Sequence, residues 1–194
     1  MDFKYFKGPW DEMSGYLLDK CKCAICQTPD LDCFLLDYSI TKEFDEEEIE
    51  GKAGCFDCLR KGKFEFWHDT EFGFLDENGL SKVYSHNLAN PPLLKDDQLI
   101  ELRRTPQIVT WQQELWLTHC NDFMVYIGTW EPVDFQNRSN GNGRDLFLEM
   151  TDEGKNLWDD CLEEGENYPE YWHATYYVFQ CLHCGKHKGN WDCS

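Results

Sequence analysis

Cys23-Ala-Ile-Cys26 and Cys55-Phe-Asp-Cys58 are the two stretches whose reading decides the fold. Two thiols separated by two residues can point at one centre, and two such knuckles supply four thiolates, the donor set of a closed tetrahedral Zn²⁺ site. Turn-prone residues flank each knuckle: Gln27-Thr28-Pro29-Asp30 follows the first, and Gly51 and Gly54 precede the second. The stretch between them has room for a hairpin, as in a zinc ribbon. The interval is longer than the commonest ribbon spacing, so the pair speaks more for metal than for one particular fold. A redox reading of Cys-x-x-Cys fits less well, because a thioredoxin-like motif opens a helix inside a βαβ unit and no such pattern surrounds either pair.

The rest of the composition agrees with a folded, reduced, metal-holding chain. Its 194 residues, 41% of them hydrophobic, suffice for one core. The 15% aromatic content suits short strands and irregular loops more than a helical bundle. We therefore expect an α+β class, a small mixed fold of short strands and few helices organised around zinc-knuckle, zinc-ribbon-like sites. It is read as one domain over 1–194, with a zinc-knuckle half over about 20–90 and a second half over about 91–194. The 11 cysteines are odd in number and fall mostly in Cys-x-x-Cys pairs, which argues for reduced thiols on metal rather than disulfides. Cys33, Cys161 and Cys193 are then spare and read as ordinary buried thiols. The N-terminus lacks an apolar signal core and no segment is long enough to span a bilayer, so a cytoplasmic location is expected.

Charge narrows the function. Asp and Glu number 37 against 18 Lys and Arg, a formal net charge of -19. A Cys₄ zinc centre adds about two more negative charges. Nucleic-acid binding draws its affinity from cations that replace counterions on phosphate, and here acids outnumber bases two to one. The field favours a basic partner instead. Glu46, Glu47 and Glu48, and separately Glu163, Glu164 and Glu166, are the candidate contact clusters.

Along the chain, residues 1–20 read as irregular, 31–40 as a strand, 43–50 as a solvated acidic turn, and Phe64 to Phe74 as short strands and loops. Asp96 to Arg104 has acids first and arginines last, the polarity of a helix, with Thr105-Pro106 as its stop. Trp111, Leu115 and Trp116 have helical spacing and read as core. Phe123 to Ile127 reads as a strand, 136–144 as a loop, Thr151 to Leu162 as a helix and Tyr171 to Gln180 as a strand. That last strand leads to a third knuckle, Cys181-Leu-His-Cys184-Gly185. A lone knuckle leaves zinc two ligands short. We assign Cys120, Cys181 and Cys184 to a second zinc with His119 as fourth ligand, a pairing of neighbours that requires a bent backbone. Asp122, His183 and His187 are the donors in reserve.

Cys23-x-x-Cys26, Cys55-Phe-Asp-Cys58-Leu59, Arg104-Thr105-Pro106, Trp111-Gln112-Gln113-Glu114, Trp116-Leu117-x-His119-Cys120-x-Asp122, Gly128, Cys181-Leu-His-Cys184-Gly-Lys and Trp191-Asp192 together resemble the bacterial CbrC family, in order from about residue 20 to the end. The family is named for a member linked to colicin tolerance. The resemblance implies a bacterial cytoplasmic zinc protein and protection from a toxin, without implying a reaction. Two positions depart from the pattern. Gln107 stands where glycine is expected, and Met124 stands where family members carry a further cysteine that would complete a Cys₄ site, a poor exchange because thioether binds Zn²⁺ weakly.

Two functions follow from these readings. The first is an acidic zinc-binding interaction protein, an immunity or tolerance protein that neutralises a basic toxin such as a nuclease, and not an enzyme. The alternative is a zinc-dependent hydrolase built on Cys120, Cys181 and Cys184, although no His-Glu-x-x-His, deaminase pattern or nucleophile elbow is present.

Overall fold

The computed structural model describes residues 2–37, 39–81, 92–151, 158 and 174–193, with the backbone alone at 46, 47 and 193. The first half is a set of two- and three-stranded antiparallel pairs. Strand β1 (Cys33–Leu35) and β2 (Ser39–Thr41) divide what reads in sequence as one strand. Both the N–H and the hydroxyl of Ser39 donate to the Leu36 carbonyl, closing a turn between them. The acidic run forms a short helix, α1 (Glu46–Ile49), where a turn is expected.

Strand β3 (Ala53–Cys55) returns along β1 with Cys33 opposite Cys55. Gly54 is obligatory there, since a Cβ would lie 2.5 Å from the Phe64 ring. Helix α2 (Phe56–Arg60) follows, then β4 (Phe64–Phe66) against β2, then the meander β5 (His68–Thr70), β6 (Gly73–Asp76) and β7 (Gly79–Leu80). In β5 the side chains alternate: His68 and Thr70 are buried while Asp69 is half-exposed, the two-residue period of a strand with one face on the core.

Helix α3 (Asp96–Arg103) matches the sequence reading, with Gln98 accepting the Lys95 N–H at its start. At its end Arg103 and Arg104 clamp Glu65 of β4 at 3.0 and 3.3 Å. The Trp111 to Trp116 stretch corrects the helical reading. The N–H groups of Trp111 and Gln112 both donate to Asp192, and Glu114 takes the Ile108 N–H, so these residues are held as a loop and not as a turn of helix. Trp116 is fully buried, but Trp111 is 60% exposed.

A tight hairpin follows, β8 (Thr118–His119) and β9 (Asp122–Phe123), and then the long strand β10 (Val125–Trp130). Helices α4 (Pro132–Arg138) and α5 (Gly143–Met150) absorb both ends of the expected 136–144 loop and leave only 139–142 as the turn. Proline pre-sets the first helical position of α4, and the left-handed Asn140 and Gly141 reverse the chain. Thr151 closes α5 at its C-terminal end, its N–H donating to the Phe147 carbonyl. Apart from Thr151 and Trp158, the 151–162 helix read from sequence lies outside the described residues, as do Glu163, Glu164, Glu166 and Cys161.

Strands β11 (Ala174–Gln180) and β12 (His187–Cys193) join β10 in a three-stranded antiparallel sheet with β11 at the centre. Residues 176–179 are all buried because both faces of that strand are covered. Tyr177 and Phe179 face the main core with Tyr126, Trp116 and the cysteines of the first half; Tyr176 and Val178 face a smaller core of Trp130, Phe135, Phe147, Met150 and Trp158. The N-terminal segment is ordered more fully than its irregular reading suggests. Phe3, Tyr5 and Phe6 are buried in the main core, and backbone bonds tie Tyr5 and Lys7 to Tyr126. Among the described residues, no helix is long and apolar enough to cross a membrane.

Candidate metal centres

In all three knuckles the sulfur of the first cysteine lies where the N–H groups of the residues that follow can reach it. Cys23 Sγ accepts the N–H of Cys26 at 3.5 Å and that of Cys55 at 3.3 Å; Cys181 Sγ accepts the N–H of His183 at 3.4 Å. Such bonds favour the thiolate over the thiol, the form that binds metal.

The first centre gathers Cys23, Cys26, Cys55 and Cys58, their sulfurs all within 4.8 Å of one another. Cys55 ends β3 and caps α2, which carries Cys58, so the second knuckle is a strand-to-helix corner. Cys23–Cys58 and Cys26–Cys55 are both 3.8 Å apart. A tetrahedron with Zn–S of about 2.3 Å has sulfurs about 3.8 Å apart, so the group fits Zn²⁺. Cys23, Cys55 and Cys58 are buried and Cys26 is exposed. Burial pushes the Cys55 and Cys58 thiols up; neighbouring thiols reinforce this at Cys58, while at Cys55 the Cys58 N–H and thiol oppose it without reversing it. Four crowded sulfurs of this kind ionise together only around a cation. Cys26 is the exception: the hydroxyl and N–H of Thr28 stabilise its thiolate and pull it down to about 6.

The second centre gathers His119, Cys120, Cys181 and Cys184, again with one donor atom each within 4.8 Å. His119 Nδ1 is 3.2 Å from Cys120 Sγ and 3.4 Å from Cys184 Sγ, and Cys120 and Cys184 are 3.9 Å apart. A mixed nitrogen and sulfur tetrahedron with Zn–N of about 2.0–2.1 Å has N···S edges of about 3.5 Å, so this group also fits. Two adjacent residues reach one point because the β8–β9 hairpin turns through Cys120 and Asn121, both left-handed with φ of 54° and 56°. That is the two-residue turn usually taken by Asn-Gly, and a cysteine held there costs about 1–2 kcal/mol. Backbone strain at a candidate ligand is the mark of a functional constraint.

The other half of the second centre is the β11–β12 turn, where Gly185, left-handed at φ 74°, donates its N–H to the Cys181 carbonyl. Burial opposes ionisation of Cys181, but the N–H groups of Cys184 and His183 outweigh it and bring the thiol down to about 6. Cys120 is pushed up to about 11 by desolvation and by the two neighbouring thiols. Cys120 and Cys184 are exposed.

Met124 is fully buried in the main core, and its backbone carbonyl accepts the Trp116 indole N–H. The position that carries cysteine in the family resemblance is thus a packing position here, and His119 supplies the fourth donor. The donors in reserve are otherwise engaged. His183 lies 3.1 Å from Asp122, and His187 packs against the Trp130 ring. Asp122 also accepts from the Tyr5 hydroxyl at 2.6 Å and from Lys4 at 3.2 Å. Burial alone would raise its carboxyl, yet these three donors hold it below the ordinary carboxylate range.

Several contributors escaped the sequence reading. Tyr5 and Lys4 brace Asp122 of the second hairpin from more than a hundred residues away, a contact that local patterning cannot show. Thr28 sits in a stretch read only as a turn. Cys21, unassigned from sequence, has its thiol against that of the buried Cys33, which burial and Cys21 together push up. Of the acidic clusters, Glu48 is exposed on α1 with Lys52 at 4.0 Å.

No solved structure matches the chain. A family model described as Uncharacterised protein family (UPF0167) matches residues 1–193, and the chain belongs to that family.

Proposed function

We propose that this is a cytoplasmic interaction protein, stabilised by two zinc ions, that binds and neutralises a basic protein of the toxin-nuclease class. The observation that carries this reading is charge: 37 acidic against 18 basic residues on one small chain. A nuclease must be cationic where it holds phosphate, and an acidic protein competes for that surface and is steered towards it. The resemblance to the CbrC family, with its link to colicin tolerance, supports the same reading. Both metal centres are read as structural, since each offers four protein donors and a catalytic zinc keeps a position open for water or substrate.

Affinity beyond steering requires rigid apolar anchors. Among the aromatic residues of the second half, Trp130 and Tyr176 are buried in the smaller core and Trp172 lies outside the described residues. Trp111 fits instead. It is 60% exposed yet fixed at both ends, its N–H donating to Asp192 and its indole N–H to Thr175.

The test is to present the zinc-loaded chain to purified basic toxin nucleases and measure association and nuclease inhibition. One nuclease is expected to be bound and silenced. Association should slow as screening shortens the field from roughly 30 Å at 0.01 M to about 8 Å at physiological salt. Binding to no basic protein, together with turnover of a small substrate, would overturn the proposal.

A further inference from the structure

Beside Trp111 the surface opens into a cavity of about 460 Å³, lined among others by Trp67, Asp69, Gln107, Val109, Gln112 and Gln113. Its floor follows from strand alternation. Phe66, His68 and Thr70 point into the core, so Trp67 and Asp69 point the other way, into the cavity. At roughly 3.3 Å per residue the two side chains stand about 7 Å apart along the chain. The walls are fixed from behind. His68 bonds Glu114 at 2.8 Å and the Thr105 carbonyl at 3.1 Å, Gln107 donates to the Trp67 carbonyl, and Phe74 leans on the Trp67 ring with centroids 5.3 Å apart.

We propose that this cavity receives an arginine side chain of the basic partner, its guanidinium set between the Asp69 carboxylate and the Trp67 ring. The proposal rests on the neutralisation reading above and names the group recognised. Asp69 has no lysine or arginine within ion-pair distance among the described residues, although of two other half-buried carboxylates Glu65 has two and Glu71 has one. Its neighbours are a glutamine amide and the imidazole behind it, and burial raises its carboxyl above the ordinary range. A carboxylate in that position gains from an incoming cation. The indole beside it selects a planar, weakly hydrated one, because guanidinium stacks on an aromatic face and pairs with carboxylate through two N–H groups, whereas ammonium is a hydrated point charge. Val109, 51% exposed on the cavity wall, and the neighbouring Trp111 provide an apolar surface for the methylene stem.

The test uses the zinc-loaded full chain and two probes, N-acetyl-arginine methylamide and its neutral isostere N-acetyl-citrulline methylamide, followed by NMR of the tryptophan indole N–H signals. The arginine probe should shift the Trp67 signal saturably, and the citrulline probe should bind at least about tenfold more weakly, the loss expected for a charge-assisted pair. Asp69→Asn should weaken the arginine probe by a similar factor, while Asp19→Asn, which removes one exposed charge elsewhere, should leave it unchanged. Equal binding of the two probes would overturn the proposal without any variant. So would full affinity in a folded, zinc-loaded Asp69→Asn protein, or an equal loss in Asp19→Asn, which would mark a diffuse acidic field. The two readings fail separately. Arginine binding in the cavity with no basic protein bound removes the neutralisation reading alone; nuclease binding indifferent to Asp69→Asn removes the cavity alone.

Discussion

The two metal centres use nearly the same chemistry in opposite settings. The first has three of its four sulfurs buried within the main core, on the loop that carries Cys23, on β3 and on α2. The second has one buried sulfur and two exposed, and joins two hairpin turns, β8–β9 and β11–β12, at the surface. What surrounds a ligand set decides whether its metal is a folding nucleus or a staple. Around the first centre the short strand pairs pack on the same core that holds its sulfurs, so losing the ligands disturbs that core directly. The second sits on a sheet already held by cores on both faces.

The sharpest way to break the comparison is Cys55→Ser. It removes a buried ligand, and structural zinc in small peptides is worth about 10–16 kcal/mol, comparable with the whole 5–15 kcal/mol stability of a domain. The expected result is loss of near-UV circular dichroism and of the first zinc; a folded variant with full zinc content would show that the centre is not a nucleus. Graded chelation sharpens the contrast without mutation. The protein should contain near two zinc ions, and one should leave early because Cys120 and Cys184 are open to solvent, the other only as the fold is lost. A single release phase would remove the distinction. His119→Ala should lower zinc content towards one per chain with the circular dichroism retained, since the sheet beneath does not depend on that ligand.

A smaller effect is expected from Asp122→Asn, which weakens the bracing of the second hairpin by Lys4, Tyr5 and His183. Bonds to a charged group are worth about 1.5–3 kcal/mol, and a melt should register a loss of that order. The sign with pH follows from the depressed carboxyl of Asp122. The folded protein binds its proton less readily than the unfolded chain, so the contribution is complete above the ordinary aspartate range near pH 4 and is lost as pH falls through the lower folded value. A wild-type acid transition that Asp122→Asn leaves unchanged would count against this. The smallest effect on the fold belongs to Glu48→Lys. It breaks only an exposed i,i+4 pair, so stability should stay within about 0.5 kcal/mol. Reversal of Glu46, Glu47 and Glu48 together should slow association with a basic partner while leaving zinc content untouched.

Much of this was legible before any coordinates. Soft donors at two-residue spacing announce a zinc knuckle because the backbone between them is short enough to fix their geometry. The three knuckles, the donor set of the second centre including His119, helix α3 and the mixed fold of short strands all follow from such local rules. Trp111 shows where those rules fail. Its spacing with Leu115 and Trp116 is helical, but Asp192, some eighty residues on, anchors the Trp111 and Gln112 N–H groups and Thr175 takes the indole N–H, which holds the ring on the surface. The 136–144 stretch fails for the same reason from the other side. Its polar residues read as loop, while helix ends packed beneath Trp130 and Phe147 absorb all but four of them. Local sequence determined which residues could bind metal, since donor type and short spacing are properties of the chain itself. Burial, exposure and the pairing of Asp69 with Trp67 around a cavity depend on which distant segments come to lie alongside, and only the tertiary structure decided them.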